Sequence, residues 1–178
     1  MTKRREERQT FGRGGDAIRY RMRQKLWSIG DDFWIEDDHG NRVYKIDGKA
    51  LRIRQTLLFE NPNGTPLCKI QKQLMHVRDT MDIEAPDGHK LAAVKKALVN
   101  PMRDHWTVHR DGKPDLHVRG NVVDHEYKIH LDRDVIAEVS KRWFRISDTY
   151  GVEVAPGQND VLILAVTVVL DMMAHPSS

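Results

Sequence analysis

The sequence predicts a mainly β protein in which a closed antiparallel barrel surrounds one C-terminal hydrophobic helix. Three observations support this fold class: tight-turn signals recur at a fixed spacing, the segments between them alternate apolar and polar residues, and one apolar run near the end has no polar face. With 178 residues, 39% hydrophobic and 31% charged, the chain is long enough to form one domain with a sizeable core.

Composition restricts the compartment and the partners. The net charge of +3 and the pI of about 9.0 are compatible with anionic partners without requiring them. A single cysteine, Cys68, excludes an intramolecular disulfide and a cysteine zinc site, which indicates a reducing compartment. No apolar signal segment precedes Phe11, so we expect a cytoplasmic protein, either free or peripheral at the membrane.

The N-terminal residues differ from the rest of the chain. Residues 1–15 are rich in charge and glycine, and we expect them to form a disordered basic tail before a barrel domain at residues 16–178. A basic tail can contact nucleic acid or a membrane, but a solvated tail without a function is the favoured interpretation.

Strand patterns begin immediately after this tail. From Ile18 the apolar residues fall on one face and the basic residues on the other, as in a half-buried strand. Turn glycines then recur every 24 residues, at Gly40, Gly64, Gly88 and Gly112, and a fifth turn follows at 132–134. Five hairpins give about ten strands, and closing a sheet of that size removes its exposed edges.

The apolar run at residues 161–170 contains nine apolar residues out of ten. Its valines and isoleucines favour a strand, whereas its length and the capping residues Asn159 and Asp160 favour a helix at about 160–174. We predict a helix, which is too short for a bilayer that needs about 20 residues. A barrel of ten or more strands is too wide for its own side chains to fill, so we expect the helix to occupy the lumen. The residues expected to pack on it include Trp34, Ile53, Leu57, Ile70, Val94, Trp106, Val108 and Ile129.

Both ends of the chain resemble one known family. Residues 23–37 resemble the opening of LURP-one-related proteins, residues 139–144 and 148–154 resemble that family's last strands, and residues 160–171 are similar to its C-terminal helix. The resemblance covers about residues 17–176 and implies a twelve-stranded, tubby C-terminal-like barrel around a hydrophobic helix. Tubby proteins and phospholipid scramblases are distant relatives of this fold. Because tubby proteins bind phosphoinositides, the resemblance also implies an anionic headgroup as a candidate ligand.

Two basic clusters are candidate ligand sites. Alternation places one stripe on a single strand face, about 6.5–7 Å between successive members, a spacing that lets neighbours share a phosphate-bearing headgroup. The stripe consists of Arg19, Arg21, Arg23 and Lys25. The second cluster, read as a strand around the aromatic residue Trp143, consists of Lys141, Arg142 and Arg145. For the stripe the favoured alternative is a solvated outer face, and for the cluster it is aromatic packing.

Histidines and carboxylates give weaker signals. The nine histidines show no zinc-protease spacing, so we predict exposed histidines, no bound metal and no cofactor. Asp171 ends the apolar helix, where the helix dipole disfavours a carboxylate. We therefore expect it to be exposed, paired with an arginine or lysine, or a polar group at the barrel mouth that orients a ligand.

The sequence favours a non-catalytic binding or scaffold protein of this family, with anionic phospholipid headgroups or a protein as its partner. A nucleophile elbow, a phosphate-binding loop and a dinucleotide fingerprint are all absent, so we do not expect an enzyme. One alternative is a small enzyme with His105 or His125 beside Asp171 at a barrel end. Another is nucleic-acid binding through the basic tail and residues 141–145.

Overall fold

The structure is a computed structural model that describes residues 17–23, 32–48, 56–72, 80–96, 105–144 and 146–175. Twelve strands precede a C-terminal helix, α1 (Asp160–Ala174). The strands are β1 (Ile18–Arg23), β2 (Phe33–Asp37), β3 (Arg42–Asp47), β4 (Thr56–Glu60), β5 (Pro66–Lys72), β6 (Thr80–Glu84), β7 (Lys90–Lys96), β8 (His105–Arg110), β9 (Lys113–Asn121), β10 (Glu126–Leu131), β11 (Asp134–Ser140) and β12 (Thr149–Val154). The predicted tail at residues 1–15 lies outside the described residues.

The strands form a closed antiparallel barrel. Each strand pairs with its sequence neighbours, and β1 closes the sheet by pairing with β12 in register from Ile18↔Val154 to Arg23↔Thr149. Closure leaves every strand with a hydrogen-bonded partner on both sides, so the sheet has no open edge. The predicted fold class, a closed antiparallel barrel with a C-terminal helix, is confirmed, and the strand number is the twelve that the family resemblance implies.

The regularly spaced glycines build the turns at one end of the barrel. Gly40, Gly64, Gly88 and Gly112 all have φ between 64° and 92°, a conformation that glycine adopts without steric cost. We call this end the turn end. Helix α1 starts there, after Pro156 and Gly157, and runs back through the barrel towards the opposite end. We call this opposite end the far end. It also contains the β9–β10 turn at residues 122–125.

Helix α1 forms the centre of the core. The Asn159 side chain accepts a hydrogen bond from the Leu162 backbone N–H at 3.0 Å and caps the first turn. From Ile163 to Asp171 every helix residue is buried, which explains why the run has no polar face. Among the described helices, none combines the length and apolar character that crossing a membrane requires.

Most of the side chains predicted to face the helix do so. Leu57, Ile70, Val94, Trp106, Val108 and Ile129 are buried in the core. The expectation for Trp34 was wrong: its neighbours Phe33 and Ile35 are the buried residues of β2, and the guanidinium of Arg42 lies 5.1 Å from the Trp34 ring. Ile53 lies outside the described residues.

Candidate functional site

Two arginines of the predicted basic stripe are already paired with glutamates. The Arg19 Nε donates to Glu153 Oε2 at 3.0 Å, and Arg21 donates to Glu36 on β2. Arg23, at the far end of β1, is exposed. Lys25 lies outside the described residues. The stripe therefore presents less free positive charge than its sequence suggests.

Trp143 and Phe144, which we call the aromatic segment, lie over Arg19 and Arg21 on the same part of the outer wall. Residues Lys141–Trp143 form a 3-10 helix rather than the expected strand, because the Ser140 hydroxyl caps the Arg142 backbone N–H at 3.1 Å. The Trp143 ring lies 4.7 Å from the Arg19 guanidinium. The aromatic residues of the second cluster thus pack against the arginines of the first.

The basic residues of the second cluster have separate positions. Lys141 is half-buried, and the Arg142 Nε lies 3.5 Å from a Glu126 carboxylate oxygen while most of its side chain is exposed. Arg145 lies outside the described residues. Arg142 is therefore also partly neutralised, although its exposed position keeps that ion pair weak.

The absence of a side chain at Gly151 allows the aromatic segment to lie against the barrel. A Cβ at this position would lie 2.5 Å from Trp143 Cε3 and 3.0 Å from Phe144 Cε2. We expect Gly151→Ala to push the segment away and to lower the free energy of unfolding by about 1–3 kcal/mol. Urea unfolding would measure this loss. In a Trp143→Ala background the penalty should fall sharply, and an equal penalty in both backgrounds would contradict the proposed contact.

The register across the outer wall separates its charges. One row crosses six adjacent strands, from β8 through β12 to β1, with each residue opposite the next. Its residues, in order, are His105, Arg119, Lys128, Glu138, Glu153 and Arg19. The acidic residues of this row lie on β11 and β12, with Glu153 opposite Arg19 and Glu138 opposite Lys128. On β8 to β10 the row consists of a histidine, an arginine and a lysine.

A second row adds to the positive part of this wall. His117 on β9 lies opposite both Thr107 on β8 and His130 on β10, and Lys95 on β7 lies opposite Thr107. We call the combined surface the histidine-basic face. It consists of Lys95, His105, His117, Arg119, Lys128 and His130.

Partial burial and the positive charge of the histidine-basic face both lower the pKa of His130. Burial is the larger cause, and the positive charges of Arg119 and Lys128 and the nearby His117 lower the pKa further. The Lys128 Nζ lies 3.9 Å from a Glu138 carboxylate oxygen, which is a long and partly exposed ion pair. The expectation of exposed histidines is wrong for His125, which is buried. Only the strand register shows that His105, His117 and His130 share one face with an arginine and a lysine.

A buried histidine–aspartate cluster lies at the far end, inside the barrel. The His125 Nε2 lies 2.6 Å from Asp171 Oδ1, and the His175 Nδ1 lies 3.1 Å from the same oxygen. The side chains of His125, Asp171 and His175 are 2%, 0% and 21% exposed. The His125 ring stacks on Tyr150 at 4.3 Å and on His175 at 5.4 Å, which fixes the orientation of its plane.

The cluster leaves polar atoms without partners. Within the part of the chain that the structure describes, Asp171 Oδ2, His125 Nδ1 and the Tyr150 hydroxyl are buried without a hydrogen bond. Burial and the Asp171 charge raise the pKa of Tyr150, so the phenol stays protonated.

The expectation that Asp171 is exposed or paired with an arginine or lysine is wrong, because the residue is buried and its partners are two histidines. The alternative, a polar group at the barrel mouth that orients a ligand, stays a prediction. His125 lies beside Asp171, whereas His105 is on the outer wall. The separation of 46 residues between His125 and Asp171 gives no local signal for their contact.

A pocket of about 480 Å³ lies at the turn end, around the N-terminus of α1. The Tyr20 hydroxyl donates to the Asp160 carboxylate near this pocket. Burial, followed by this hydrogen bond, raises the pKa of Tyr20. Because Asp160 already supplies the negative charge that a helix N-terminus favours, we do not assign an anionic ligand to the pocket.

Comparisons with known proteins agree with the architecture. The X-ray structure of a protein from Arabidopsis thaliana matches with a TM-score of 0.66 and 18% sequence identity, covering 89% of this chain and 92% of the plant chain. At that identity the likeness shows the fold alone. A search of curated protein sequences gave no match. A family model described as LOR, LURP-one-related, matches residues 18–171, which include all twelve strands and most of α1. The chain therefore belongs to the LURP-one-related family.

Proposed function

We propose that this protein is a non-catalytic binding module that attaches to anionic phospholipid surfaces through the histidine-basic face. The observation that carries the proposal is the strand register, which gathers an arginine, two lysines and three histidines on β7 to β10. In the row that runs through Arg119 and Lys128, the acidic residues Glu138 and Glu153 lie on β11 and β12. Asp115 on β9 pairs with His109, and Glu126 on β10 lies near Arg142.

The filled lumen supports a binding site on the outside of the barrel. Helix α1 buries nine consecutive residues, from Ile163 to Asp171, against the inner faces of the strands. A lipid chain or a large ligand would have to displace this core, at a high cost in buried apolar area. The outer wall is reached without such a change.

The spacing of the face suits phosphate groups. Neighbouring strands lie about 4.8 Å apart, and alternate residues on one strand lie about 6.5–7 Å apart. Arg119 and Lys128 are directly opposite each other, so both can contact the same phosphate-bearing headgroup. Val123, exposed in the β9–β10 turn beside this face, adds an apolar contact for the membrane interface.

Co-sedimentation with liposomes tests this proposal. We expect vesicles of phosphatidylcholine with phosphatidylserine to capture the protein at low salt, moderate salt to reduce capture, and phosphatidylcholine alone to capture little. The double variant Arg119→Glu/Lys128→Glu should lower capture by roughly tenfold or more, since each basic residue near an anionic surface contributes about 1 kcal/mol.

The matched control reverses the same number of charges at the sites that the sequence predicted. Arg23→Glu/Lys141→Glu changes the net charge equally but leaves the histidine-basic face intact. If this control abolishes capture and the first variant does not, the headgroup site lies on the predicted stripe and cluster instead. If neither vesicle captures the protein, the lipid proposal is wrong. If the protein then retards an oligonucleotide in a mobility-shift assay, this result would support the nucleic-acid alternative.

The histidines predict a pH dependence of capture. An ordinary histidine titrates near pH 6.5, and the lowered pKa of His130 keeps it neutral further below that value. An anionic surface favours the protonated form, so capture should rise as the pH falls from about 7.5 to about 5.5. The variant His117→Gln/His130→Gln should flatten this rise. An unchanged profile would show that these histidines do not face the membrane.

A small enzyme is the second candidate function, because His125 lies within hydrogen-bond distance of Asp171 at one barrel end. A histidine oriented by a carboxylate can act as a general base. Hydrolysis of a small chromogenic ester, lost in the His125→Gln variant but retained in His109→Gln on the outer wall, would favour this function. Equal background rates in all three proteins would argue against it.

A further inference from the structure

We infer that the far end of the barrel holds a site for one divalent transition-metal ion, with His125 Nε2, His175 Nδ1 and an Asp171 carboxylate oxygen as its ligands. The site is separate from the histidine-basic face, which lies on the outer wall. The inference therefore goes beyond the proposed lipid binding and does not depend on it.

The ligand atoms already converge. The two imidazole nitrogens and a carboxylate oxygen all lie within 4.8 Å of one another. Ligands of a tetrahedral metal lie about 3.3 Å apart when each bond is about 2.0 Å. The distance of 3.1 Å from His175 Nδ1 to Asp171 Oδ1 fits this value, and the distance of 2.6 Å from His125 Nε2 must widen by about 0.7 Å.

Two unpartnered atoms support a bound cation. Asp171 Oδ2 is buried and has no hydrogen-bond donor in the described part of the chain, so one oxygen of this carboxylate lacks the partner that a buried charge requires. His125 Nδ1 is also unpartnered. It can carry the imidazole proton, which leaves the Nε2 lone pair available to a metal.

The donor set indicates the class of metal. Two imidazole nitrogens and one carboxylate oxygen suit Zn²⁺ and its first-row neighbours better than Ca²⁺ or Mg²⁺, which prefer oxygen ligands. Three protein ligands leave a fourth position open for water or a small ligand, as in exchangeable rather than purely structural zinc sites. His175 keeps part of its side chain exposed, which gives the ion a route from solvent.

The β9–β10 turn positions His125 in the cluster. This residue has φ of 54°, in the left-handed region that non-glycine residues seldom occupy. The Asn121 side chain holds the turn, donating to Asp124 at 2.6 Å and accepting from the Asp124 N–H at 3.0 Å. In this conformation the His125 side chain is buried, within hydrogen-bond distance of Asp171.

Metal titration of tag-free full-length protein tests the inference. Dialysis against a chelator, followed by Co²⁺, should give visible absorption of a tetrahedral cobalt complex at one ion per chain, which Zn²⁺ should displace. Zn²⁺ alone should raise the melting temperature, because a ligand that binds only the folded state stabilises it. His175→Ala, at the partly exposed ligand, should fold and lower the affinity for Zn²⁺ at least tenfold.

The chain offers a matched control. Asp37, Asp38 and the exposed His39 form another group whose ligand atoms lie close together, in the β2–β3 turn. His39→Ala should leave the cobalt spectrum and the zinc affinity unchanged. The inference is overturned if the purified protein binds neither ion, if His175→Ala binds both as the parent does, or if His39→Ala removes the spectrum.

Discussion

Leu164→Asp should abolish cooperative folding of this protein. Leu164 has no exposed surface and is among the largest fully buried side chains, at the centre of the helix that fills the barrel. A carboxylate there would lose its hydration without gaining a partner, at a cost of several kcal/mol, in addition to the roughly 2–5 kcal/mol lost with the leucine side chain. Small domains are stable by only about 5–15 kcal/mol.

The matched measurement uses Ile146→Asp, because Ile146 is 54% exposed. Circular dichroism during thermal and urea unfolding should show a normal transition for Ile146→Asp and no cooperative transition for Leu164→Asp. A soluble Leu164→Asp variant with a sharp transition and near-normal midpoint would show that the helix does not form the core. It would also contradict the fold described above.

The fold was predictable because its determinants are local in the sequence. A turn that needs φ above zero selects glycine. The positions of the hairpin turns are therefore marked in the sequence by Gly40, Gly64, Gly88 and Gly112. A helix surrounded by strands must be apolar on every side, so residues 161–170 lack the polar face of a surface helix. Neither inference depends on knowing which strands pair.

The candidate sites could be predicted less well, because they depend on register. The sequence suggests that Arg19 is a free cation, because its partner Glu153 lies 134 residues away along the chain. The histidine-basic face likewise exists only because three strands align His105, Arg119 and Lys128. A shift of one residue in pairing would reverse which of these side chains face outward.

The sequence also does not determine which residues of β2 face the core. Residues Phe33, Trp34 and Ile35 are consecutive and all apolar, so alternation alone cannot decide which of them faces the core. Two of them can be buried together only if Trp34 points outward, and the structure has this arrangement. The exposed side of Trp34 is then covered by Arg42.

The contact between His125 and Asp171 should give a large coupling energy in a double-mutant cycle. His125→Ala removes the closest partner of a fully buried carboxylate, which we expect to lower the free energy of unfolding by about 3–5 kcal/mol. Asp171→Ala leaves the buried His125 Nε2 without its partner and should cost about 1–3 kcal/mol. The double variant should cost less than the sum, by about 1–3 kcal/mol.

The cycle should be measured by urea unfolding in a chelating buffer, so that no metal contributes to stability. His109 and Asp115 provide the matched control, since their side chains approach to 2.8 Å but remain well exposed, and their coupling should stay below about 1 kcal/mol. The ring lost with His125 also packs on Tyr150, but that loss enters His125→Ala and the double variant equally and cancels. A coupling for His125 and Asp171 no larger than the control would mean that the carboxylate is solvated rather than held by the imidazole. The convergence of ligand atoms at the far end would then lose its basis.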